Sequence, residues 1–221
     1  MRRVLLATIS LFALSATGAL AADLPRPLPA KAPVVYAPMF NWTGFYVGIN
    51  GGYGFGNSEW NGRAADVDTS GGLVGLTVGY NWQTGPWVFG LEGDANWSDI
   101  RGSFANALCP AGCETRNNWL GTARGRVGYA ITDRIMPYVT GGVAVGDIRA
   151  NPVGFAGVRD TNAGWTIGAG VEAAITQNVT AKLEYLYVDL GNVACSAASC
   201  GVATNVDFTA NIVRGGVNFK F

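Results

Sequence analysis

Eight segments between Trp42 and the C-terminal Phe221 alternate apolar and polar residues with a period of two. They span 12 to 17 residues, whereas the strands of soluble proteins usually have about five or six. A strand that crosses the hydrocarbon of a membrane needs roughly 9–11 residues. This length and period therefore favour strands that cross a membrane. The segments lie at 45–57, 71–82, 86–101, 117–131, 136–149, 162–176, 178–190 and 205–221.

The connections between these segments alternate in length. Short turns lie at 83–86, 132–134 and 177–178, and longer stretches lie at 58–70, 102–116, 150–161 and 191–204. Short periplasmic turns and long extracellular loops are typical of outer-membrane barrels with an even number of strands. The pattern predicts an all-β fold, an eight-stranded antiparallel up-and-down transmembrane β-barrel in the outer membrane of a Gram-negative bacterium.

One face of every segment is apolar and carries no Asp, Glu, Lys or Arg. Its aromatic residues collect near the two ends, as in the aromatic girdles of membrane barrels. The predicted girdle residues are Trp82, Trp87, Tyr129 and Phe219 beside the short turns, and Trp97, Trp119, Trp165 and Tyr187 toward the long connections. A soluble β-sandwich is the alternative, but its outer face would be charged, and here the second face is glycine-rich.

Composition supports a chain whose outer surface does not face water. Glycine accounts for 32 of 221 residues, and charged residues make up 14%, where a soluble domain has roughly 25%. Histidine is absent, which removes the commonest general base and metal ligand. An enzyme is therefore not expected, and neither is a cofactor.

The N-terminus predicts an exported protein. Residues 1–21 combine Arg2 and Arg3, an apolar stretch, and a small-residue cleavage pattern ending at Ala21, which is typical of a signal peptide; an N-terminal membrane anchor is the alternative. Residues 22–41 are rich in proline and predict a periplasmic linker, and residues 42–221 form the barrel. Without its signal the chain has a net charge of about −2, so nucleic acid is not an expected partner.

The second face carries the charged residues of the segments. Opposite charges fall on neighbouring segments, and a turn centred on Gln177 would place Glu172 directly opposite Lys182. Paired acids can be catalytic, but an interior ion-pair network fits better, because side chains fill an eight-stranded barrel and buried charges need partners. The predicted network comprises Glu92, Asp94, Arg124, Arg126, Glu172, Lys182, Glu184, Arg214 and Lys220.

Four cysteines lie in two of the long connections. A metal site is not expected, because an exported protein meets an oxidising compartment in which cysteines form disulfides. We predict the two local bridges, Cys109–Cys113 and Cys195–Cys200, with pairing between the two connections as the alternative.

Several motifs resemble the 25/31-kDa outer-membrane proteins of rhizobia-type alphaproteobacteria. They are "AADLPRP" after the signal, "NWTGFYVGINGGYGFG" at 41–56, "PYVTGGVAVG" at 137–146 and "KLEYLYVDLG" at 182–191. The resemblance covers nearly the whole chain from residue 22. It implies an eight-stranded, surface-exposed barrel that contributes to envelope integrity and host contact. A small porin-like channel and a hemin-binding surface protein are the alternatives that the family allows.

The terminal aromatic, Phe221, resembles the signal by which the barrel-assembly machinery recognises its clients. The partners expected from the resemblance are therefore outer-membrane lipid, lipopolysaccharide and the assembly machinery, with host or phage contact through the loops.

Overall fold

The computed structural model describes residues 40–60, 65–106, 109–152, 158–196 and 204–221. The predicted signal peptide, the linker up to residue 39 and Cys200 lie outside the described residues. No helix in these ranges is long and apolar enough to cross a membrane. The strands are β1 (Gly44–Trp60), β2 (Ala65–Thr84), β3 (Trp87–Asn106), β4 (Cys109–Tyr129), β5 (Ile135–Pro152), β6 (Val158–Ala174), β7 (Val179–Cys195) and β8 (Thr204–Lys220).

The eight strands form one closed antiparallel barrel. Each strand pairs with the next along the chain, and β1 pairs with β8, where Ile49 lies opposite Val217. Closure pairs the last strand and leaves no open edge, so the predicted fold class is confirmed. The short turns β2–β3, β4–β5 and β6–β7 share one end, here called the turn end; the other is the loop end.

The strands are longer than the sequence predicted, at 17 to 21 residues. Much of what was predicted as long loops therefore belongs to strands that continue past the apolar band. The prediction failed there because it followed the apolar outer face, which ends where the exterior becomes polar. Inward positions such as Ser58, Ile100 and Phe208 remain buried beyond that point.

The outer face of the barrel is apolar and exposed. Leu91, Val139, Ile167 and Leu183 are each more than half exposed. The aromatic residues predicted for the girdles also lie on this face, and some pair across strands: the ring centroids of Trp87 and Tyr129 are 5.1 Å apart. Because burial of such side chains is favourable by about 1.5–3 kcal/mol each, this surface requires an apolar solvent.

The lumen is filled by three successive layers of side chains. β7 shows the sequence of layers, because Lys182 and Glu184 precede Leu186, Val188 and Leu190 on its inward face. The turn layer consists of Phe40, Trp42, Val88, Met136, Tyr138 and Ala174. The ionic layer consists of Glu92, Asp94, Arg124, Arg126, Glu172, Lys182, Glu184 and Arg214. The apolar layer consists of Leu73, Ile100, Leu120, Ala144, Ile148, Leu186, Val188, Leu190, Phe208, Ala210 and Ile212.

The turn layer includes part of the segment before the first strand. Phe40 and Trp42 are only 5% and 1% exposed, and the Trp42 backbone N–H donates to Gln83 Oε1 at 2.8 Å. Gln83 in turn donates its backbone N–H to Thr43 Oγ1 at 3.0 Å. Phe40, which the sequence placed in the linker, is therefore part of the barrel interior.

Candidate functional site

The ionic layer brings together four acids and four bases from five strands, β3, β4, β6, β7 and β8. In each of these ion pairs both side chains are at most 3% exposed. Formal charges within the layer therefore cancel. This balance is what allows so many ions to stay out of water, because an uncompensated buried charge is costly.

Arg124 lies at the centre of the layer and contacts three carboxylates. Its Nη2 donates to Glu92 Oε1 and, at 2.9 Å, to Asp94 Oδ2. Its Nη1 donates to Glu184 Oε1 at 2.9 Å, across the lumen on β7. The remaining Nε–H donates to Thr122 Oγ1 at 3.0 Å. The planar guanidinium thus ties one wall of the barrel to the opposite wall.

Arg214 makes a second set of bonds to two of the same acids. Its Nε donates to Glu184 Oε2 at 2.8 Å, and its Nη1 donates to Asp94 Oδ1 at 2.8 Å. Arg126 extends the layer toward the turn end, where its Nη2 donates to Glu172 Oε2 at 2.6 Å. Its guanidinium carbon lies 4.0 Å from the ring centroid of Tyr138.

Lys182 and Glu172 show how far register alone predicts contacts. The two residues are directly opposite on β6 and β7, as the turn arithmetic predicted. Lys182 Nζ nevertheless crosses the lumen to Glu92, at 2.9 and 2.8 Å from the two carboxylate oxygens. Glu172 accepts from Arg126, and from Thr180 Oγ1 at 2.5 Å. Strand neighbours were predictable, whereas partners across the lumen were not.

Lys220 is the one predicted member that does not join the layer. It lies at the turn end, where its Nζ donates to the backbone carbonyl of Asn41 and lies 4.8 Å from the ring centroid of Phe40. The prediction for this residue is therefore wrong. The last strand ends there, and its amine contacts the chain that enters the barrel.

Neutral hydroxyl and amide groups complete the layer, and the sequence analysis missed them. Tyr46 Oη donates to Glu92 Oε2 at 2.8 Å, and Tyr138 Oη donates to Glu184 Oε1 at 3.1 Å. The glycines of the inward face were the sequence signal for these tyrosines, because a larger residue would collide with them. A Cβ at Gly170, for example, would lie only 2.7 Å from the Tyr138 hydroxyl oxygen. Glycine thus makes room for inward tyrosines as well as for long charged side chains.

The chemistry of the layer is that of paired charge. Its carboxylates accept hydrogen bonds from the guanidinium, ammonium and hydroxyl groups that are packed around them in the lumen. Within the described residues, no group of three or more His, Cys, Asp or Glu could hold a metal ion. Hemin binding, one of the alternatives that the family resemblance allows, is not tested by these contacts and stays an alternative.

The remaining predicted residues lie at the two ends of the barrel. Cys109 and Cys113 belong to β4, and Cys195 ends β7, so these three are strand residues and not loop residues. Their side chains lie outside the described part of the chain, and the predicted disulfides stay predictions. Phe221 is 71% exposed, its ring centroid is 5.2 Å from that of Phe219, and its N–H donates to Phe45 O at 3.0 Å.

Comparison with known proteins gives consistent matches over most of the chain. The family model described as outer membrane protein beta-barrel domain matches residues 8–221. The 31 kDa outer-membrane immunogenic protein of Brucella melitensis is 38% identical over 244 residues, covering 100% of both chains. The 22 kDa outer membrane protein of Rhizobium leguminosarum bv. viciae is 35% identical over 191 residues, covering 86% of this chain and 82% of that protein. The crystal structure of Neisserial surface protein A matches with a TM-score of 0.49 and 18% identity, over 81% and 98% of the two chains.

Proposed function

Because this chain belongs to the outer membrane protein beta-barrel family, we propose that it is a structural surface protein whose lumen is closed by its own side chains. Membership confirms the resemblance that the sequence motifs indicated, and it places the protein in the outer membrane. On that placement the turn end is periplasmic, the loop end is extracellular, and lipid covers the apolar exterior.

The filled lumen is the observation that carries this proposal. Trp42 and Met136 obstruct the periplasmic end, the ionic layer crosses the middle, and residues such as Leu186 and Phe208 fill the extracellular side. An eight-stranded barrel has an interior just wide enough for side chains to fill. Passage of a solute would require several buried ion pairs and an apolar cluster to separate together.

Planar-bilayer recording tests whether the lumen is closed. We expect the purified protein to give no stable conductance, because three layers of buried side chains fill the lumen in the part of the chain that the structure describes. The variant with Arg124→Ala and Arg126→Ala should open one layer only. Where a heat-modifiable gel shift shows that this variant is folded, it should remain silent because the apolar layer is intact. Stable ohmic conductance of the wild-type barrel would contradict the proposal. Conductance that appears only in the double variant would instead indicate a gated channel.

The surface role rests on the position of the loop end. The matched Brucella proteins are named outer-membrane immunogenic proteins, and the strands continue well beyond the apolar band. At about 3.3 Å per residue and a tilt near 40°, a 17-residue strand rises about 43 Å, compared with an apolar band about 25 Å tall. The proposed contacts with host or phage, and the contribution to envelope integrity, would come from this protruding rim.

Epitope insertion tests this exposure on intact cells. A tag between Trp60 and Ala65 should be labelled by antibody without permeabilisation, since it lies at the loop end. The same tag in the turn between Tyr129 and Ile135 is the matched control and should be labelled only after permeabilisation. The reverse pattern would contradict the proposed orientation.

A further inference from the structure

Charged residues near the loop end divide the outside of the barrel into two halves. On β3 to β6, four arginines are successive register partners and are here called the arginine row: Arg101, Arg116, Arg149 and Arg159. Like charges directly opposite each other on neighbouring strands are destabilising. The arginine row therefore indicates that opposite charges from outside the barrel contribute to its stability.

The other four strands carry acids near the same end. They are here called the acidic side and comprise Asp189 of β7, Asp207 of β8, Glu59 of β1, and Asp66 and Asp68 of β2. Glu59 is the register partner of both Asp207 and Asp66, so like charges are adjacent here too. These four strands hold three Lys or Arg residues, which lie in the ionic layer or at the turn end. The strands of the arginine row carry acids of their own near the loop end, so the larger unbalanced charge is on the acidic side.

Alternation along the strands places the acidic side outside the barrel. Phe208 and Val188 are at most 2% exposed inside the lumen. Successive residues of a strand point to opposite faces, so their chain neighbours Asp207 and Asp189 face outward. Both of these acids are partly exposed, and Asp68 is exposed. The acidic side therefore faces a neighbour beside the barrel and not the lumen.

A bulge in β4 places the middle of the arginine row outside as well. The side chains of Arg101, Arg116 and Arg149 are 50%, 40% and 33% exposed. The register between β4 and β5 shifts just beyond Arg116, and bulges commonly redirect a side chain in this way. Asp147 of β5 holds the bulge, because it is 0% exposed and its Oδ1 accepts the backbone N–H of Asn118 at 2.9 Å. The direction of Arg116 is thus built into the fold.

The arginine row keeps donors for further acceptors. Asp99 accepts from both Arg101 and Arg116, the latter at 2.9 Å, so one carboxylate serves two guanidinium groups. Arg149 donates through Nε to Asp147 at 3.2 Å, and its two terminal nitrogens are not part of that bond. A guanidinium group has five N–H donors in a planar fork. Carboxylates of a neighbouring molecule can therefore add to the contacts that these arginines make within the chain.

The arginine row and the acidic side lie at the same height along the barrel axis. Register partners followed from Arg101 through β2 and β1 reach Asn211 on β8. Because the strands of a barrel are tilted, the full circuit of partners ends on β4 at Gly125, nine residues nearer the turn end than Arg116. This shift is about one residue per strand, or about three to four residues over three strands. Asp207 lies four residues nearer the loop end than Asn211, and therefore at the height of Arg101.

Outward glycines lie on both halves, nearer the turn end than the charges. Gly125 of β4 is the register partner of Gly141 of β5, and Gly51 of β1 is the register partner of Gly215 of β8. A Cβ at Gly125 or Gly215 would have no atom closer than 3.9 or 3.8 Å, whereas a Cβ at the inward Gly142 would lie 2.1 Å from a backbone oxygen. The barrel itself does not require glycine at the outward positions. Glycine within a strand often marks the close approach of another backbone, and small residues let membrane proteins pack closely.

We propose that copies of this chain associate side by side in the membrane, with the arginine row of one copy against the acidic side of the next. The two surfaces are centred four strands apart in an eight-stranded barrel, so they face in opposite directions. Such a contact is heterologous, and one that does not close into a ring forms an open line of molecules. The proposal uses the location of the chain in the outer membrane, and it does not depend on whether the lumen is closed.

Energy transfer between donor-labelled and acceptor-labelled copies in phosphatidylcholine vesicles tests the proposal. These vesicles contain no phosphorylated glycolipid that could join the copies. We expect the wild type to associate, and to associate at least about tenfold more weakly when NaCl is raised from about 50 mM to about 500 mM, because exposed charges are screened. This salt titration needs no variant, so it tests the proposal even where a variant does not fold.

Two triple variants remove one surface each. The first replaces part of the arginine row, by Arg101→Gln, Arg116→Gln and Arg149→Gln. The second replaces part of the acidic side, by Asp68→Asn, Asp189→Asn and Asp207→Asn. Each variant alone should associate at least about tenfold more weakly than the wild type, and a heat-modifiable gel shift reports that it is folded. The matched controls are Arg134→Gln and Asp133→Asn in the β4–β5 turn, which should leave association unchanged.

A mixture of the two triple variants distinguishes a heterologous contact from a symmetric one. Each variant keeps the surface that the other has lost, so one contact remains between unlike copies. The mixture should therefore form pairs and no longer lines, and stepwise photobleaching of single assemblies counts the copies.

Four results would overturn the proposal. The first is a wild type that stays monomeric at the lower salt concentration. The second is association that neither salt nor the triple variants weaken, which would place the contact on the apolar outer face alone. The third is a mixture of folded triple variants that does not pair. The fourth is association that appears only after bis-phosphorylated lipid A is added, which would make lipid the bridge between copies. None of these results would bear on the conductance of the lumen.

Discussion

The ionic layer and the apolar layer are neighbours in one lumen, and on β7 the change from one to the other takes a single inward step, from Glu184 to Leu186. Both side chains are buried, at 1% and 0% exposure. The ionic layer depends on partners: each charge is tolerated because specific opposite charges and hydroxyl groups face it. The apolar layer depends on volume, because dispersion and burial need filled space but no particular partner.

This difference teaches where the barrel tolerates change. Removing one member of the ionic layer leaves charges that no solvent can reach, whereas removing atoms from the apolar layer leaves a cavity that neighbours fill in part. The outer face is a third case, because lipid refills any space that a substitution creates there. Substitutions at the three places should therefore lower the free energy of unfolding by different amounts.

The largest loss is expected from Arg124→Met, which removes the donor shared by Glu92, Asp94 and Glu184. Three buried carboxylates would keep only part of their compensation, so the free energy of unfolding should fall by about 3–5 kcal/mol, or folding should fail. Urea unfolding in lipid vesicles, followed by tryptophan fluorescence, measures this change. Arg134→Met in the exposed turn is the control. A loss below about 1 kcal/mol would show that water reaches the ionic layer.

A smaller loss is expected from Leu186→Ala in the apolar layer. The substitution should cost about 3 kcal/mol, from lost burial and from the cavity that remains. Leu183→Ala is the matched control, since Leu183 lies on the same strand but is 63% exposed on the outer face, where lipid can fill the gap. The same unfolding experiment compares the two. Equal losses would mean that the apolar layer collapses as easily as lipid rearranges.

The loss of a single hydrogen bond should lower the free energy of unfolding more when the acceptor is a carboxylate than when it is a neutral carbonyl. Thr180→Val removes the hydroxyl that donates to Glu172 at 2.5 Å, and we expect a loss of about 1.5–2 kcal/mol because the acceptor is ionised. Thr140→Val removes a hydroxyl that donates to the Gly125 carbonyl at 2.9 Å, with an expected loss of about 1 kcal/mol. Urea unfolding in lipid vesicles measures both losses, as shifts of the unfolding midpoint at an unchanged dependence of the free energy of unfolding on urea concentration. A greater loss at Thr140 than at Thr180 would argue against the importance of charge in the ionic layer.

The smallest effect on the folded barrel is expected from Phe221→Asp on the outer face. A charge at the membrane interface costs only about 0–1 kcal/mol, so the barrel refolded in detergent should keep its heat-modifiable gel shift. Arrival in the outer membrane of cells should nevertheless be lost if Phe221 is the assembly signal, since β8 must be recognised before it closes the barrel. Fractionation and immunoblotting measure arrival. Ile131→Asp, at the same end and 59% exposed, is the control, and equal arrival of both variants would reduce Phe221 to a girdle residue.

The sequence by itself determined the fold of this protein and the face on which most side chains lie. Period-two alternation depends only on strand geometry, and a membrane makes that pattern strict because one face must be apolar along its whole length. Register across a short turn also follows from the sequence, as Glu172 and Lys182 show. The parts of the strands nearest the loop end were missed because their outward residues are polar. The apolar outer face that the prediction followed is therefore absent there.

Only the tertiary structure decided which charged groups meet. Lys182 binds Glu92 on β3, four strands away around the barrel, because closure brings opposite walls within the reach of one side chain. Closure also brings Tyr46 and Tyr138 within reach of the ionic layer, whereas Lys220 lies outside it because β8 ends there, at the turn end. The bulge in β4 between Arg116 and Leu120 is likewise held by Asp147, a carboxylate on a neighbouring strand. Such contacts join residues that are distant in the chain, and alternation along one strand carries no information about them.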